Sequence, residues 1–327
     1  MGVPSISVVI PARDASRTLG DCVRALITQD DGPDEVVVVD DGSTDGTRSI
    51  AESFGARVVQ GRGRGPAAAR NLGAAAATGD VVVFVDADVC LVPGFLRRVR
   101  QAFEAGQCAL CGMLAPQCPE RGLASAYKNG WMHYTYAAKA GRAALFYTSC
   151  SAITRDLFQR SGGFDEGYGA PGLEDTDFGQ RLHAAGTTPL VDTGLLGVHH
   201  KAYRLRDVLA LDFRRAVALV RLVLRRGKGL AASSRQSSVP LSHMVSVGWA
   251  GACVVVAAAA GSWFPLVAAV LGSWVLNLGF LGFLLRTGGM RPLMAALIFL
   301  PLDILAVLFG VIWGLVSFPF LARAKRY

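Results

Sequence analysis

The chain has 327 residues, 52% of them hydrophobic, and a formal net charge of +8, enough for one full α/β domain and a second part. Residues 1–200 carry 18 basic and 22 acidic groups, whereas residues 201–327 carry 15 basic and 3 acidic ones. A nucleic-acid footprint would be expected on the folded domain itself, so the late basicity, lying beside long apolar runs, argues against nucleic acid and for an anionic membrane surface. The opening residues 1–11 have no basic n-region and too short an apolar run for a signal peptide. They predict a first strand over Ser5 to Ile10, ended by Pro11-Ala12-Arg13-Asp14.

Residues 17–29 place Leu19, Val23, Leu26 and Ile27 on one helical face. A second apolar strand, Glu35 to Val39, runs into Asp40-Asp41-Gly42-Ser43-Thr44-Asp45, where Ser43 or Thr44 can cap a helix continuing through Phe54. Arg57 to Val59 begins a short third strand. Gly61-Arg62-Gly63-Arg64-Gly65-Pro66 then opens an alanine-rich helix, Ala67 to Ala77, and such a start leaves backbone N–H groups facing an anion. Because this glycine run follows the third strand and not the first, it lacks the register of a dinucleotide fingerprint, which argues against an oxidoreductase.

The stretch Gly79-Asp80-Val81-Val82-Val83-Phe84-Val85-Asp86-Ala87-Asp88 organises the rest. Five apolar residues predict a strand buried on both faces of a parallel sheet, and period two puts Asp86 and Asp88 on one side where it runs out. Open α/β sheets bind ligands at that edge, and a hard divalent cation would relieve the repulsion of the pair; a solvated turn is the alternative. Strand and helix alternate four times in about 90 residues, as right-handed crossovers require.

After residue 110 the pattern loosens. Tyr127, Trp131, Tyr134, Tyr136, Phe146 and Tyr147 suit core packing first and an acceptor groove second. Glu174-Asp175-Thr176-Asp177 begins an acidic helix with Phe178 and Leu182 on its apolar side, and the helix dipole would keep Asp175 ionised as a base, N-capping being the alternative. Cys108-x-x-Cys111 with Cys118 resembles half of a zinc site, but no second pair follows at ligand spacing, so free, buried thiols in a reducing cytoplasm are expected.

These segments together resemble the family 2 inverting glycosyltransferases of the GT-A fold, over residues 5 to about 200. The resemblance rests on Pro11 with Asp14, Asp40-Asp41-Gly-Ser-Thr-Asp45, Arg70-Asn71, Asp86-Ala-Asp88, Gly-Gly-Phe164-Asp165, and Glu174-Asp175-x-Asp177 with Arg181. It implies a nucleotide-sugar donor bound by Pro11, Asp14, Asp41, Arg70 and Asp86. It implies a divalent cation, Mg2+ or Mn2+, held by Asp88 and Asp86 with His199, or His200 in its place. Asp175 is then the base toward the acceptor, with Glu174, Asp177 and Arg181 on the acceptor side. One base and no protein nucleophile imply a single displacement with inversion. Processive polymer synthases of the family carry a Gln-x-x-Arg-Trp motif after the base; here the comparable Asp212-Phe213-Arg214-Arg215-Ala216-Val217 has no Trp, so transfer of one sugar is favoured.

Residues 203–228 interleave Arg206, Arg214, Arg215, Arg221, Arg225 and Arg226 with Leu209, Phe213, Val217, Val220 and Leu224, as in a basic amphipathic helix at a membrane surface. A helix packed on the domain is the alternative, and a polar linker follows over residues 231–238. Three apolar stretches come next, Met244 to Ala260, Leu266 to Leu285 and Leu293 to Ala322, each near or above the ~20 residues that span a bilayer. Three crossings from a cytoplasmic domain would leave Arg323, Lys325 and Arg326 outside, against the positive-inside tendency. Pro301 and Asp303 interrupt the last stretch, which leaves three crossings or two with a re-entrant hairpin.

The expected organisation is an α/β GT-A, Rossmann-like domain over residues 1–202, an interfacial helix and linker over 203–238, and a membrane region over 239–327. The expected protein is a multi-pass enzyme of the cell membrane, its catalytic domain cytoplasmic, moving one sugar to a lipid or lipid-linked acceptor. The rivals are an inactive scaffold of the same fold, a processive synthase and a transport component.

Overall fold

Val81–Val85 form the buried strand β4 of a nine-stranded sheet in the computed structural model, which describes residues 2–168, 173–226 and 239–324. The expected linker 231–238, Gly172, Lys228, Lys325 and Arg326 lie outside the described residues. The described residues divide into two compact units, Met1–Pro119 with Tyr136–Lys201, and Glu120–Thr135 with Ala202–Tyr327. The contact units part between Lys201 and Ala202, and residues 120–135 group with the later helices, as does the amphipathic segment.

In the first unit β1 (Ile6–Ala12), β2 (Glu35–Asp40) and β3 (Arg57–Gln60) join β4 in parallel, in the order β3-β2-β1-β4. Strand β1 runs through Pro11, which was expected to end it. The ladder with β4 stops at Val9↔Phe84, so Pro11 lies beyond it and its missing N–H is tolerated. Beyond β4 the sheet turns mixed: β8 (Cys150–Thr154) is antiparallel to β4, β6 (Ala109–Leu114) antiparallel to β8, β9 (Leu190–His199) parallel to β6, and β5 (Val89–Leu91) antiparallel to β9. The two-residue strand β7 (Gly141–Arg142) also pairs with β9.

Helix α1 (Leu19–Ile27) buries Leu19, Val23 and Leu26 as expected, but Cys22 completes the face and Ile27 is exposed. Helix α2 (Thr47–Ser53) starts after Gly46, not at Ser43 or Thr44, because both of those side chains bond Asp14's loop instead. Helix α3 (Pro66–Ala76) lies so close to the sheet that a Cβ on Gly73 would come 2.3 Å from Val9 and 2.9 Å from Val39. Gly73→Ala is therefore expected to cost about 1–3 kcal/mol by overpacking and to lower the melting temperature. An unchanged melt would mean that α3 can lift off β1. The remaining helices of this unit are α4 (Phe95–Glu104), α6 (Arg155–Arg160) and α7 (Glu174–Ala184), with a 3-10 turn at Glu166–Tyr168. The α7 residue Phe178 joins Phe84, Phe146, Phe158 and Phe164 in one aromatic core.

The second unit gathers α5 (Leu123–Ala137, to Thr135), α8 (Leu205–Arg226), α9 (Leu241–Ala260), α10 (Phe264–Leu276), α11 (Leu278–Gly288) and α12 (Met290–Ala324). Tyr127 and Trp131 pack against Phe280, and Tyr127 against Phe299, so these aromatics are core. Among the described residues two helices are long and apolar enough to span a membrane, Leu241–Ala260 and Met290–Phe318. The pair α10 and α11 would pass together but bends by 58° at Asn277. The break thus falls in the middle stretch, not at Pro301 and Asp303 in the last. Asn277 donates to Ser246 Oγ and the Ser273 carbonyl at 2.8 and 2.9 Å, a polar lock at the bend, whereas α12 stays helical through Pro301.

Helix α8 is packed rather than lying alone. Cβ atoms on Gly310 and Gly314 would come within 3 Å of Ala216 and Val220, and Arg221 donates to Ser317 Oγ at 2.9 Å. Small residues on α12 therefore admit the Ala216–Val217 face of α8, while Arg206 and Arg214 remain exposed.

Candidate functional site

The acid-ended strand behaves as its pattern required up to Val85; beyond it the two carboxylates part. Asp86 accepts from Arg70 Nη2 at 2.7 Å and from Ser149 Oγ at 2.7 Å. Asp88 turns to β9: the register Val89↔His199 sets His199 Nε2 3.5 Å from Asp88 Oδ2, with Lys201 Nζ at 3.8 Å. Burial opposes charge on Asp88, but the His199 hydrogen bond and the neighbouring positive charges outweigh it and hold the carboxyl below its usual range. His200 holds the same loop by its backbone, donating N–H to the Asp88 carbonyl at 2.7 Å. Of the metal set expected from the resemblance, Asp88 and His199 are brought together and Asp86 is engaged elsewhere. Among the described residues no three His, Cys, Asp or Glu side chains converge as a ready-made metal cluster.

Arg70 is the junction of the site. Its side chain, on α3, is 6% exposed and bridges Asp86 to Glu174 Oε1, the latter at 3.1 Å. Burial disfavours its charge, but Asp86, then Glu174, more than offset this, so its pKa is raised; the charge of Asp175 adds to the effect. Asp175 is the second residue of α7 and accepts the Thr176 N–H at 2.5 Å; the N-cap position is Leu173 and no side chain caps the helix there, so Asp175 is not its N-cap. Of the residues expected on the acceptor side, Glu174 is buried against Arg70, and Asp177 pairs with Arg181 at 2.8 Å. Arg181 in turn donates to the carbonyls of Ser161 and Gly163 at 2.8 and 2.5 Å, which fastens the Gly162-Gly163 turn to α7.

That turn has its own logic. Gly163 has φ +65°, and a Cβ there would meet Asn71 Oδ1 at 2.6 Å. Asn71 clamps the next residue from both sides, accepting the Phe164 N–H at 2.8 Å and donating to its carbonyl at 2.9 Å. Phe164 thereby enters the aromatic core 4.8 Å from Phe178, beneath Arg70 at 6.0 Å.

The donor-side loops are knitted by carboxylates. Asp14, at φ +49°, accepts the Thr44 N–H at 2.8 Å and its hydroxyl at 3.0 Å. Thr47, then Ser16, hold the Asp45 carboxyl well below its ordinary range through hydrogen bonds. Asp41 is buried and accepts the N–H groups of Gly63 and Gly65 at 2.8 Å each and of Arg64 at 3.2 Å. The glycine run does present N–H groups to an anion, and that anion is Asp41. All seven cysteines are free, yet Cys108 is exposed and Cys90 and Cys118 are half-buried, so the expectation of burial holds for Cys22, Cys111, Cys150 and Cys253.

Comparison with known proteins decides what this assembly is. The profile described as "Glycosyl transferase family 2" matches residues 7–162. Over these residues the chain is similar to glycosyl transferase family 2. Validoxylamine A glucosyltransferase of Streptomyces hygroscopicus subsp. limoneus is 31% identical over 236 residues, 60% of this chain and 51% of that protein. Glucosyl-3-phosphoglycerate synthase of Mycolicibacterium paratuberculosis is 43% identical over 96 residues, 26% of this chain and 29% of that protein. The chain thus matches about half or less of the length of these curated relatives. A solved mannosyltransferase from Pyrobaculum calidifontis, in complex with GDP-Man and Mn2+, has 21% identity and a TM-score of 0.57, covering 98% of this chain and 88% of that one. That likeness is one of fold, and it takes in the C-terminal helices as well as the family 2 domain.

Three residues around the family 2 domain's acids carry no signal in the sequence. Ser149 reaches Asp86 only because β8 runs antiparallel to β4 with Val85↔Cys150 in register. Lys201 nears Asp88 through the β5–β9 pairing, and Glu166 meets Arg64 and Asn71 across the 3-10 turn at 2.8 and 3.0 Å.

Proposed function

We propose that the chain is a membrane-anchored glycosyltransferase that moves one sugar from a nucleotide-sugar donor to a lipid or lipid-linked acceptor, with inversion. The observation that carries it is the bridge Asp86–Arg70–Glu174. It joins the acidic end of β4 to the first turn of α7, so Asp175 sits one residue from a group tied to the donor-side edge. Segments far apart in the chain are thereby gathered at one place, as a single displacement requires.

The donor set at Asp88 and His199 fits a divalent cation: a carboxylate oxygen and an imidazole nitrogen 3.5 Å apart, with diphosphate oxygens to complete the shell, suit Mn2+ or Mg2+. Such an ion, when bound, takes up charge on the leaving diphosphate. Asp14 and Asp41 shape the loops that receive the nucleoside, Asp86 orients the donor beside Arg70, and Asp175 takes the acceptor proton as the new bond forms. Lys201 supplies a further positive charge on the Asp88 side.

The membrane reading rests on the two long apolar helices and on a row of exposed apolar side chains that includes Trp249, Val255, Trp263, Phe264, Leu271, Phe309 and Trp313. So many large apolar side chains exposed on the same few helices suit lipid better than water. Exposed Arg206 and Arg214 fit anionic headgroups. With α9 and α12 crossing and the bent pair re-entrant, the number of crossings is even, as the charge tendency asks for Arg323, Lys325 and Arg326 if the chain ahead of α9 is cytoplasmic. A protease site appended after Tyr327 should accordingly be cut in inside-out vesicles and protected in right-side-out ones; the reverse pattern would favour three crossings.

The test of the function is a screen of the purified chain in lipid nanodiscs against uridine- and guanosine-diphosphate sugars with Mn2+ or Mg2+, following nucleoside diphosphate release. One donor should be consumed, and chelation should abolish its consumption. A folded chain inert toward every donor would support the scaffold reading instead.

A further inference from the structure

We infer that Arg70 and Glu174 are a positioning pair: Arg70 acts through Asp86 and Glu174 rather than on the donor, and Glu174 acts through Arg70 rather than on the acceptor. The inference rests on the proposed transfer reaction and deepens it. Both side chains are shielded from any ligand, at 6% and 5% exposure. Glu174 has one oxygen on Arg70 Nη1, and its other oxygen accepts the Leu173 N–H at 3.2 Å, at the start of its own helix. Asp86 likewise has one oxygen on Arg70 and the other on Ser149.

The result is one chain of contacts, Ser149–Asp86–Arg70–Glu174, that crosses from the start of β8 to the end of β4, to α3, and to the first turn of α7. A guanidinium is a rigid planar fork, so the two carboxylates it holds are fixed in distance and in angle. Asp175 follows Glu174 directly, so the position of the proposed base relative to Asp86 is set by this one group. Phe164 lies under the guanidinium at 6.0 Å and keeps it from tilting into the core. Lysine would keep the charge and lose the fork.

The test compares Glu174→Gln, Arg70→Lys, and both together with the wild-type chain in nanodiscs. Each single change should lower kcat by about 10- to 100-fold, as misplacement of a reacting group does, with donor and acceptor KM moved less than about threefold. The double variant should be scarcely slower than either single one, because both break the same link. An acceptor KM raised about tenfold in Glu174→Gln, with the two losses multiplying in the double variant, would put Glu174 on the acceptor and overturn the pair. A nucleoside diphosphate Kd raised about tenfold in Arg70→Lys, at unchanged kcat, would put Arg70 on the donor and do the same.

Two controls keep the outcome readable. Removal of one buried charge can unfold a chain, so Arg70→Met/Glu174→Met, which leaves Asp86 its bond from Ser149, should melt above Arg70→Met alone while losing kcat as Arg70→Lys does. The melting cycle across Arg70→Met, Glu174→Met and their double reads the coupling without turnover: strict additivity would overturn the pair. An inactive wild-type chain with a coupled cycle would instead count against the proposed reaction alone.

Discussion

Asparagine in place of Asp175 should slow sugar transfer by about 10²- to 10⁴-fold, the contribution of a positioned general base, with nucleoside diphosphate affinity unchanged. Asparagine keeps the shape and the oxygen that accepts the Thr176 N–H, so α7 should start as before. It cannot take a proton. Asp175 stands in the first turn of α7, where the helix dipole favours the ionised form, and the guanidinium of Arg70 lies close enough for the two charges to feel one another. The buried Cys111 thiol is within electrostatic reach of the same carboxylate; burial, first, pushes it up to about 12, and so it is no competing base. Initial rates and calorimetric donor binding together make the check. Equal loss of rate and of binding would mean that the substitution disturbs the donor side instead, and an unchanged rate would place the base elsewhere.

Methionine in place of Lys128 should destabilise the helical unit by about 3–5 kcal/mol, because it strips the partner from a buried charge. Lys128 is 1% exposed and its ammonium lies 2.6 and 2.5 Å from the two oxygens of Asp212 on α8. Beside it the Tyr127 hydroxyl donates to Asp303 Oδ2 at 2.7 Å, and Asp303 Oδ1 is buried without a hydrogen-bond partner among the described residues. Without the ammonium Asp212 is left with the charge of Arg215, and Asp303 with the Tyr127 hydroxyl. Lys128→Met/Asp212→Leu, which removes both charges of the pair, should recover most of the loss. Detergent melts of the two variants make the comparison, and a wild-type melt for the single change would contradict the buried pair.

The sequence made the first 90 residues legible because each strand there is a short apolar run closed by acids or glycines, and each helix has one apolar face. It made the family legible because six short motifs stand in order. What it hid were partners across space. Arg70 and Glu174 are 104 residues apart, and no local spacing shows that Glu174 faces inward to an arginine rather than outward to a ligand. Asp177 and Arg181 stand in the same motif and yet fasten a glycine turn. The anion for the glycine run was in view all along as Asp41, but only folding brings β2's end to residues 63–65.

The helical unit was legible in its apolar length and not in its breaks. Proline and aspartate at 301 and 303 look like a break, but Asp303 finds Tyr127 from a segment 176 residues earlier, and the helix continues. Asn277 looks harmless in the sequence, yet its amide gathers Ser242, Ser246 and Ser273 and the chain bends there by 58°. Residues 120–135 read as part of the first domain because their aromatic spacing fits any core. Their partners, Phe280 and Phe299, lie more than 140 residues later.

The central claim is that one base and one cation-held leaving group face each other across a single sugar, with no covalent intermediate. The anomeric configuration of the product, read by proton NMR of the transferred sugar before any spontaneous equilibration, tests it most directly. An α-linked nucleotide sugar should give a β-linked product; an α-linked product would contradict the account.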